Sequence, residues 1–180
     1  MNIKEEIFKV KNKLDINVLS DLAEEIWREH FIPIIGKKQV IYMLNKFQSI
    51  EALKTQINDG VDYYIIKQSD DNIGYFAVKI NIQTKSLQLS KIYIKSEFRR
   101  KGIANNIIIF IENICQQLHL KKIWLVVNKY NIIAINAYLK YGFQNKGEQI
   151  QNIGGGFIMD DYLMEKEIKS IFSVEKVKEV

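Results

Sequence analysis

Apolar positions along the first third of the chain recur at helical spacing. Ile16, Leu19, Leu22, Ala23, Ile26 and Trp27 fall on one side of a helix predicted over Asp15 to His30, after a short strand expected at residues 5 to 11. Phe31-Ile32-Pro33-Ile34-Ile35-Gly36 is expected to interrupt it. Val40, Ile41, Leu44 and Phe47 then predict a second helix over about 37 to 48, with a third over 49 to 58. After Asn58-Asp59-Gly60 the period changes. Tyr63-Tyr64-Ile65-Ile66, a turn at Asp70-Asp71-Asn72, and Ile73 to Ile82 read as an antiparallel hairpin. The next strand, Leu87 to Ile94, carries a fault: Leu87 and Leu89 share one phase of the alternation, Ile92 and Ile94 the other. One extra residue at Ser90-Lys91 returns all four to the same face, so a bulge is predicted there.

Gly102 to Leu118 reads as a helix with a strongly apolar side, and Lys122 to Val127 as a parallel strand buried on both faces. A right-handed strand, helix, strand unit follows from that order. A further helix spans about 131 to 141 and stops at Gly142. Strands near 143 to 151 and 157 to 166 are joined by Asn152-Ile153-Gly154-Gly155-Gly156, which precedes a strand and therefore reads as a hairpin connection rather than a phosphate loop. The expectation is an α/β (α+β) architecture: a mixed central sheet of six to seven strands, the fourth bulged, with flanking helices.

Composition narrows this picture. The chain has 180 residues, 47% hydrophobic and 26% charged, which suits one domain over residues 1–180, with 168–180 as a loose tail. Its formal charge of +5 favours anionic partners without choosing among them. The lysines are scattered and most aromatics sit in apolar periodic segments, so nucleic acid is not the expected partner. The single cysteine, Cys115, lies in an apolar helical stretch and reads as core in a reducing compartment. No apolar run approaches the roughly 20 residues that span a bilayer, so a cytoplasmic location without membrane is expected. His30 and His119 are far apart in sequence and no Cys/His pair has ligand spacing, so no metal is expected. Monomer and homodimer both stay open.

The chemistry concentrates at the entry to the central helix. Arg99, Arg100 and Lys101 lie against the positive end of a helix dipole, where each costs about 0.3 to 1 kcal/mol unless an anion joins them. Gly102 leaves the following backbone N–H groups open to such an anion, and a pyrophosphate suits that nest.

The stretch Ile92-Tyr93-Ile94-Lys95-Ser96-Glu97-Phe98-Arg99-Arg100-Lys101-Gly102-Ile103-Ala104 resembles the acetyl-coenzyme A motif of the GNAT superfamily of N-acetyltransferases, Arg/Gln-x-x-Gly-x-Gly/Ala after a strand. Asn128 to Phe143 resembles the superfamily's second motif, a strand followed by Asn-x-x-Ala-x-x-x-Tyr and Gly-Phe, carried here by Asn131, Ala134, Tyr138, Gly142 and Phe143. The resemblance covers about residues 60 to 167. It implies the GNAT fold and acetyl-CoA as cosubstrate. It also implies contacts from the backbone of Ile92, Tyr93 and Ile94 and from Arg99, Arg100, Lys101, Gly102, Ile103 and Ala104. Asn131 would bond the pantetheine or phosphate region, and Tyr138 would lie near the sulfur as the catalytic acid. A phenol of pKa about 10 can protonate a departing thiolate of pKa about 8.5. The backbone N–H of Ile92 would serve the thioester oxygen.

An alkyl ammonium is only about one part in 2,500 neutral at pH 7, so the site must remove a proton. Some superfamily members place a glutamate on the bulged strand, but Ser90 and Lys91 stand in that neighbourhood here. Glu24, Glu29 and His30, acting through water, are the candidate bases. Trp27 to Ser49, Ile92 to Ala104 and Asp160 to Lys166 most resemble bacterial PaiA-type spermidine/spermine acetyltransferases. A polyamine acceptor is therefore expected, with Glu24, Glu25, Glu29, Asp160 and Asp161 forming an acidic pocket. The alternatives are another small-molecule or protein amine, a non-catalytic acyl-CoA binder, or a nucleic-acid module.

Overall fold

A computed structural model describes residues 5–169; the expected tail lies, from residue 170 on, outside the described residues. The elements are β1 (Glu6–Lys9), α1 (Lys13–Ile35), α2 (Lys37–Met43), a π-helical turn (Leu44–Gln48), α3 (Ile50–Asn58), β2 (Val61–Gln68), β3 (Asp71–Asn81) and β4 (Ser86–Ile94). There follow a 3₁₀ turn (Ser96–Phe98), α4 (Ile103–Gln117), β5 (Lys122–Asn128), α5 (Ile132–Lys140), β6 (Gln144–Gly154) and β7 (Phe157–Glu167). Seven strands form one sheet in the order β1-β2-β3-β4-β5-β7-β6.

Both faces of the sheet are covered, which explains the unbroken apolar runs in β2 and β3. Tyr63, Ile65, Tyr75 and Ala77 pack against α1 to α3 with Leu19, Ile26, Trp27 and Leu53. Tyr64, Ile66, Phe76 and Val78 face the opposite way, against Ile103, Ile107 and Ile111 of α4. Each such side chain, fully buried, stabilises the fold by about 1.5 to 3 kcal/mol before conformational entropy is charged against it.

The predicted bulge is present. Lys91 pairs with Ala77 and Leu89 with Val78, leaving Ser90 as the extra residue. Leu87, Leu89 and Ile94 all join the α4-side core, with Ile92 packed against it, while Tyr93 passes to the other face. The consequence for the neighbouring strand is larger. β4 and β5 are parallel and pair at only three positions, Ser86–Lys122, Leu87–Ile123 and Gln88–Trp124. Past Gln88 the facing edges have no ladder partner, and a V-shaped cleft opens between the strands.

Three expectations are corrected. α1 does not stop before Pro33 but runs through it to Ile35, and the break falls at Gly36. Proline removes one N–H near the helix end, a loss outweighed by the packing of Phe31 against Trp27 and Tyr93. The second helix ends at Met43 and widens into the π turn. β5 is buried on one face only: Ile123, Leu125 and Val127 are buried, whereas Trp124 and Val126 are half-buried. Its second neighbour, β7, is antiparallel, so β5 is not the interior of an all-parallel sheet.

At the far edge, β6 and β7 turn through Gly155-Gly156, both with positive φ, as a two-residue hairpin requires. The tip is clasped by α2 and the π turn. Tyr42 Oη (2.6 Å) and Lys46 Nζ (2.5 Å) both donate to the Ile153 carbonyl, and the Tyr42 ring packs on Phe157.

Candidate active site

The cleft between β4 and β5 continues into a cavity of about 270 Å³. Its walls come from α1 (Trp27, His30, Phe31), β4 from Leu89 to Ile94, β5 from Val126 to Asn128, α5 (Ala134, Tyr138) and β7 (Met159, Asp161). Of the residues singled out in the sequence, Ile92, Tyr93, Ile94, Arg99, Ala104, Asn131 and Tyr138 border this one cavity. Arg100, Lys101, Gly102 and Ile103 do not line it; they stand at the start of α4.

The three adjacent cations separate in role. Arg99 turns back on β4: its Nε donates to the Ile94 carbonyl at 2.8 Å, and its guanidinium lies 3.8 Å from Glu29. Arg100 is exposed with φ 63°, and Lys101 is exposed with its ammonium over the Phe98 ring. Gly102 occupies the N-cap of α4 with φ 84°, no side-chain cap, and no acidic residue in the first helical turn. A Cβ there would meet nothing within 4 Å, so the glycine serves the left-handed backbone and leaves open space in front of it. The side chain of Ile103 is core. The first N–H groups of α4 thus stand beside two exposed cations, with no carboxylate among the described residues capping them.

Asn131 is spent inside the protein. Its Oδ1 accepts from the Ala134 N–H, capping α5, and its Nδ2 donates to His30 Nε2 at 3.3 Å. Burial, and then the nearby Arg99 charge, lowers the pKa of His30 and keeps the ring neutral at pH 7. Tyr138 is half-buried with its ring against Phe143, and its hydroxyl has no hydrogen-bond partner among the described residues. Burial raises its pKa, so the phenol holds its proton at neutral pH.

Two further ionisable groups border the cavity: Asp161, expected from the sequence only as one of five acids of a pocket, and Lys91, noted there only for its place on the bulge. Asp161 is 3% exposed, and neither carboxylate oxygen has a hydrogen-bond or ion-pair partner among the described residues. Burial, reinforced by neighbouring Asp160, pushes its pKa up to about 6. Lys91, on the bulge, donates to Gln56 Oε1 at 2.5 Å and to the Tyr63 hydroxyl, and desolvation lowers its pKa to about 7. The signal for Asp161 was its phase in β7, shared with Met159 on the face toward α1 to α3; an aspartate in an inward phase is the anomaly to look for. The candidate bases disperse: Glu24 pairs with Arg28, Glu29 faces Arg99, and only His30 lines the cavity.

Residues 19–143 match the model of the acetyltransferase (GNAT) family. The chain belongs to this family. Spermidine N(1)-acetyltransferase of Thermoplasma acidophilum is 21% identical over 159 residues, covering 87% of this chain and 93% of the relative. The fold also matches a crystal structure of PaiA N-acetyltransferase from the same organism in complex with coenzyme A, with TM-score 0.72 and 22% identity, covering 91% of this chain and 99% of that one. Spermidine N-acetyltransferase from Vibrio cholerae, in complex with CoA and spermine, gives TM-score 0.68 and 19% identity over 93% and 97% of the two chains. As a GNAT acetyltransferase the protein is an acetyl-CoA-dependent N-acetyltransferase. Among the described residues there is no metal-binding cluster, and no helix is long and apolar enough to cross a membrane.

Proposed function

We propose that the enzyme acetylates a primary amine by direct attack within the β4/β5 cleft. The observation that carries this reading is the parting of β4 from β5 after three pairs, which leaves the Ser90 to Ile94 backbone free on one edge and leads to an uncapped helix start. Such an edge accepts an extended amide-bearing chain as it would another strand. In this reading the backbone of Ile92, Tyr93 and Ile94 holds pantetheine. The N–H groups of Gly102, Ile103 and Ala104, with Arg100 and Lys101, hold the diphosphate, and Arg99 braces the end of β4. Asn131 keeps α5 in place rather than bonding the ligand, because its side chain already serves two internal partners. Bound acetyl-CoA supplies an acyl carbon activated as a thioester. Tyr138, protonated and unpartnered, is the donor for the leaving sulfur, and the Ile92 N–H is aligned to stabilise charge on the carbonyl oxygen.

Spermidine and spermine are acceptors worth testing first, since relatives carry those names. The decisive experiment combines calorimetric binding of acetyl-CoA with a thiol-release assay over a panel of amines. Binding with amine-dependent thiol release supports the reading. Binding without release from any amine would leave a non-catalytic acyl-CoA module, and salt-sensitive nucleic-acid binding without acetyl-CoA binding would replace it altogether.

A further inference from the structure

We infer that Asp161 receives the acceptor's ammonium group, and that the chamber around it selects an amine with one cationic end and an apolar or aromatic body. The inference rests on the proposed amine acetylation and adds the acceptor's chemical class.

A buried carboxylate without a partner is costly, and proteins keep one only where something compensates. No cation among the described residues forms an ion pair with Asp161, and the charge of Lys129 offsets burial and Asp160 only in part. Lys129, in the turn after β5, is bound to Asp160 and Glu148. Lys91 is bound to Gln56 and Tyr63, and Arg99 to the Ile94 carbonyl and Glu29. With every neighbouring cation committed, the counter-charge must arrive from outside. Asp161 lines the same cavity as Tyr138, and the Tyr93 phenol is within electrostatic reach of both. Tyr93 likewise has no hydrogen-bond partner among the described residues. Three unpartnered polar groups therefore border one space, whose other polar side chains, such as His30, Lys91, Arg99 and Asn131, are bonded within the protein.

The walls define the rest of the ligand. Trp27, Phe31, Ile35, Met43, Tyr93 and Met159 line the side toward α1 and α2. The other carboxylates expected to form an acidic pocket are occupied: Glu24 by Arg28, Glu25 by Lys95, Glu29 by Arg99 and Asp160 by Lys129. A second ammonium of a polyamine would meet aromatic and aliphatic surface and the Lys91 amine, with no carboxylate to receive it.

The proton account closes. R–NH₃⁺ gives one proton to the Asp161 carboxylate. The freed nitrogen lone pair forms the N–C bond to the acyl carbon as the C–S bond breaks and its electron pair leaves on sulfur. The second amine proton ends on that sulfur, relayed by Tyr138, and the first leaves Asp161 for solvent, so each turnover releases one proton. The titratable and charged groups that share the cavity with Asp161 are His30 on α1, Lys91 and Tyr93 on β4, Arg99 after the 3₁₀ turn, Tyr138 on α5 and Tyr141 at its end, while Lys129 and Asp160 act on it electrostatically.

The test uses 2-phenylethylamine and spermidine with wild type, Asp161→Asn and Asp161→Glu, measuring amine binding by calorimetry and kcat/KM against pH. Wild type should favour 2-phenylethylamine by at least about tenfold in kcat/KM. Asp161→Asn should abolish the heat of amine binding, lower kcat/KM about 100-fold, and remove the acidic limb of the pH profile while leaving acetyl-CoA affinity unchanged. Asp161→Glu should recover part of both. Spermidine as the better acceptor, or wild-type amine binding and pH profile in Asp161→Asn, would overturn the inference while leaving amine acetylation standing. Loss of acetyl-CoA binding by wild type would instead sink the function on which it rests.

Discussion

The two halves of the cavity are built in opposite ways. The proposed cofactor half is one continuous stretch, β4 running through a turn into α4, and the two cations that precede its helix, Arg100 and Lys101, are exposed. The proposed acceptor half is assembled from α1, β4 and β7, the first and last of them more than a hundred residues apart, and its one unpaired charge is buried. A locally encoded site needs only backbone geometry and a few cations. A site made by tertiary packing depends on which side chains remain unpartnered after the fold is complete.

Substitutions can sharpen or break that contrast. The largest effect is expected where the halves meet: Tyr138→Phe should lower kcat about 100-fold with little change in acetyl-CoA affinity, read by steady-state and binding measurements together. A comparable loss in affinity instead would move Tyr138 into the cofactor half. Next comes the stability of the acceptor half. Because Asp161 titrates near 6 in the fold and near 3.8 when unfolded, the folded state holds a proton that the unfolded chain has lost between those values. Stability therefore falls as pH rises through about 4 to 6 and stays lower above it, by roughly 3 kcal/mol. Asp161→Asn should remove this fall and raise the melting temperature at pH 7.5 while activity is lost; an unchanged pH dependence of unfolding counts against a desolvated carboxylate.

Effects in the cofactor half should be smaller and additive in character. Gly102→Val places a branched residue at φ 84° and should weaken acetyl-CoA binding through about 1 to 2 kcal/mol of backbone strain, measurable by calorimetry. Arg100→Ala should cost about 0.3 to 1 kcal/mol of the same affinity, and the loss should shrink as salt is added. An Arg100→Ala effect larger than that of Gly102→Val would show that charge outweighs backbone geometry at this corner.

The same contrast explains what the sequence discloses. The phase fault between Leu89 and Ile92 announced the bulge, because a local count of alternating side chains carries that information. The helix start after Gly102 was legible for the same reason. The fates of Glu24, Glu25 and Glu29 were not, since each is settled by whichever cation the fold delivers to it, Arg28, Lys95 or Arg99. Pro33 misled about α1 because its local penalty is visible in the sequence while the packing of Phe31 that outweighs it is not. Asp161 was read as one of five acids forming a pocket, and only its isolation inside the fold sets it apart.

The grip of Tyr42 and Lys46 on the Ile153 carbonyl joins two parts of the chain more than a hundred residues apart. Met159 and Asp161 lie just beyond that hairpin tip, in the last of the described strands, whereas Met43 beside the grip belongs to the first third of the chain. A ribosome-bound chain that has already completed β4 and α4 still lacks the wall and the carboxylate that receive an amine. On the proposed mechanism, acyl transfer therefore awaits the pairing of β7 beside β5 and the docking of its hairpin on α2.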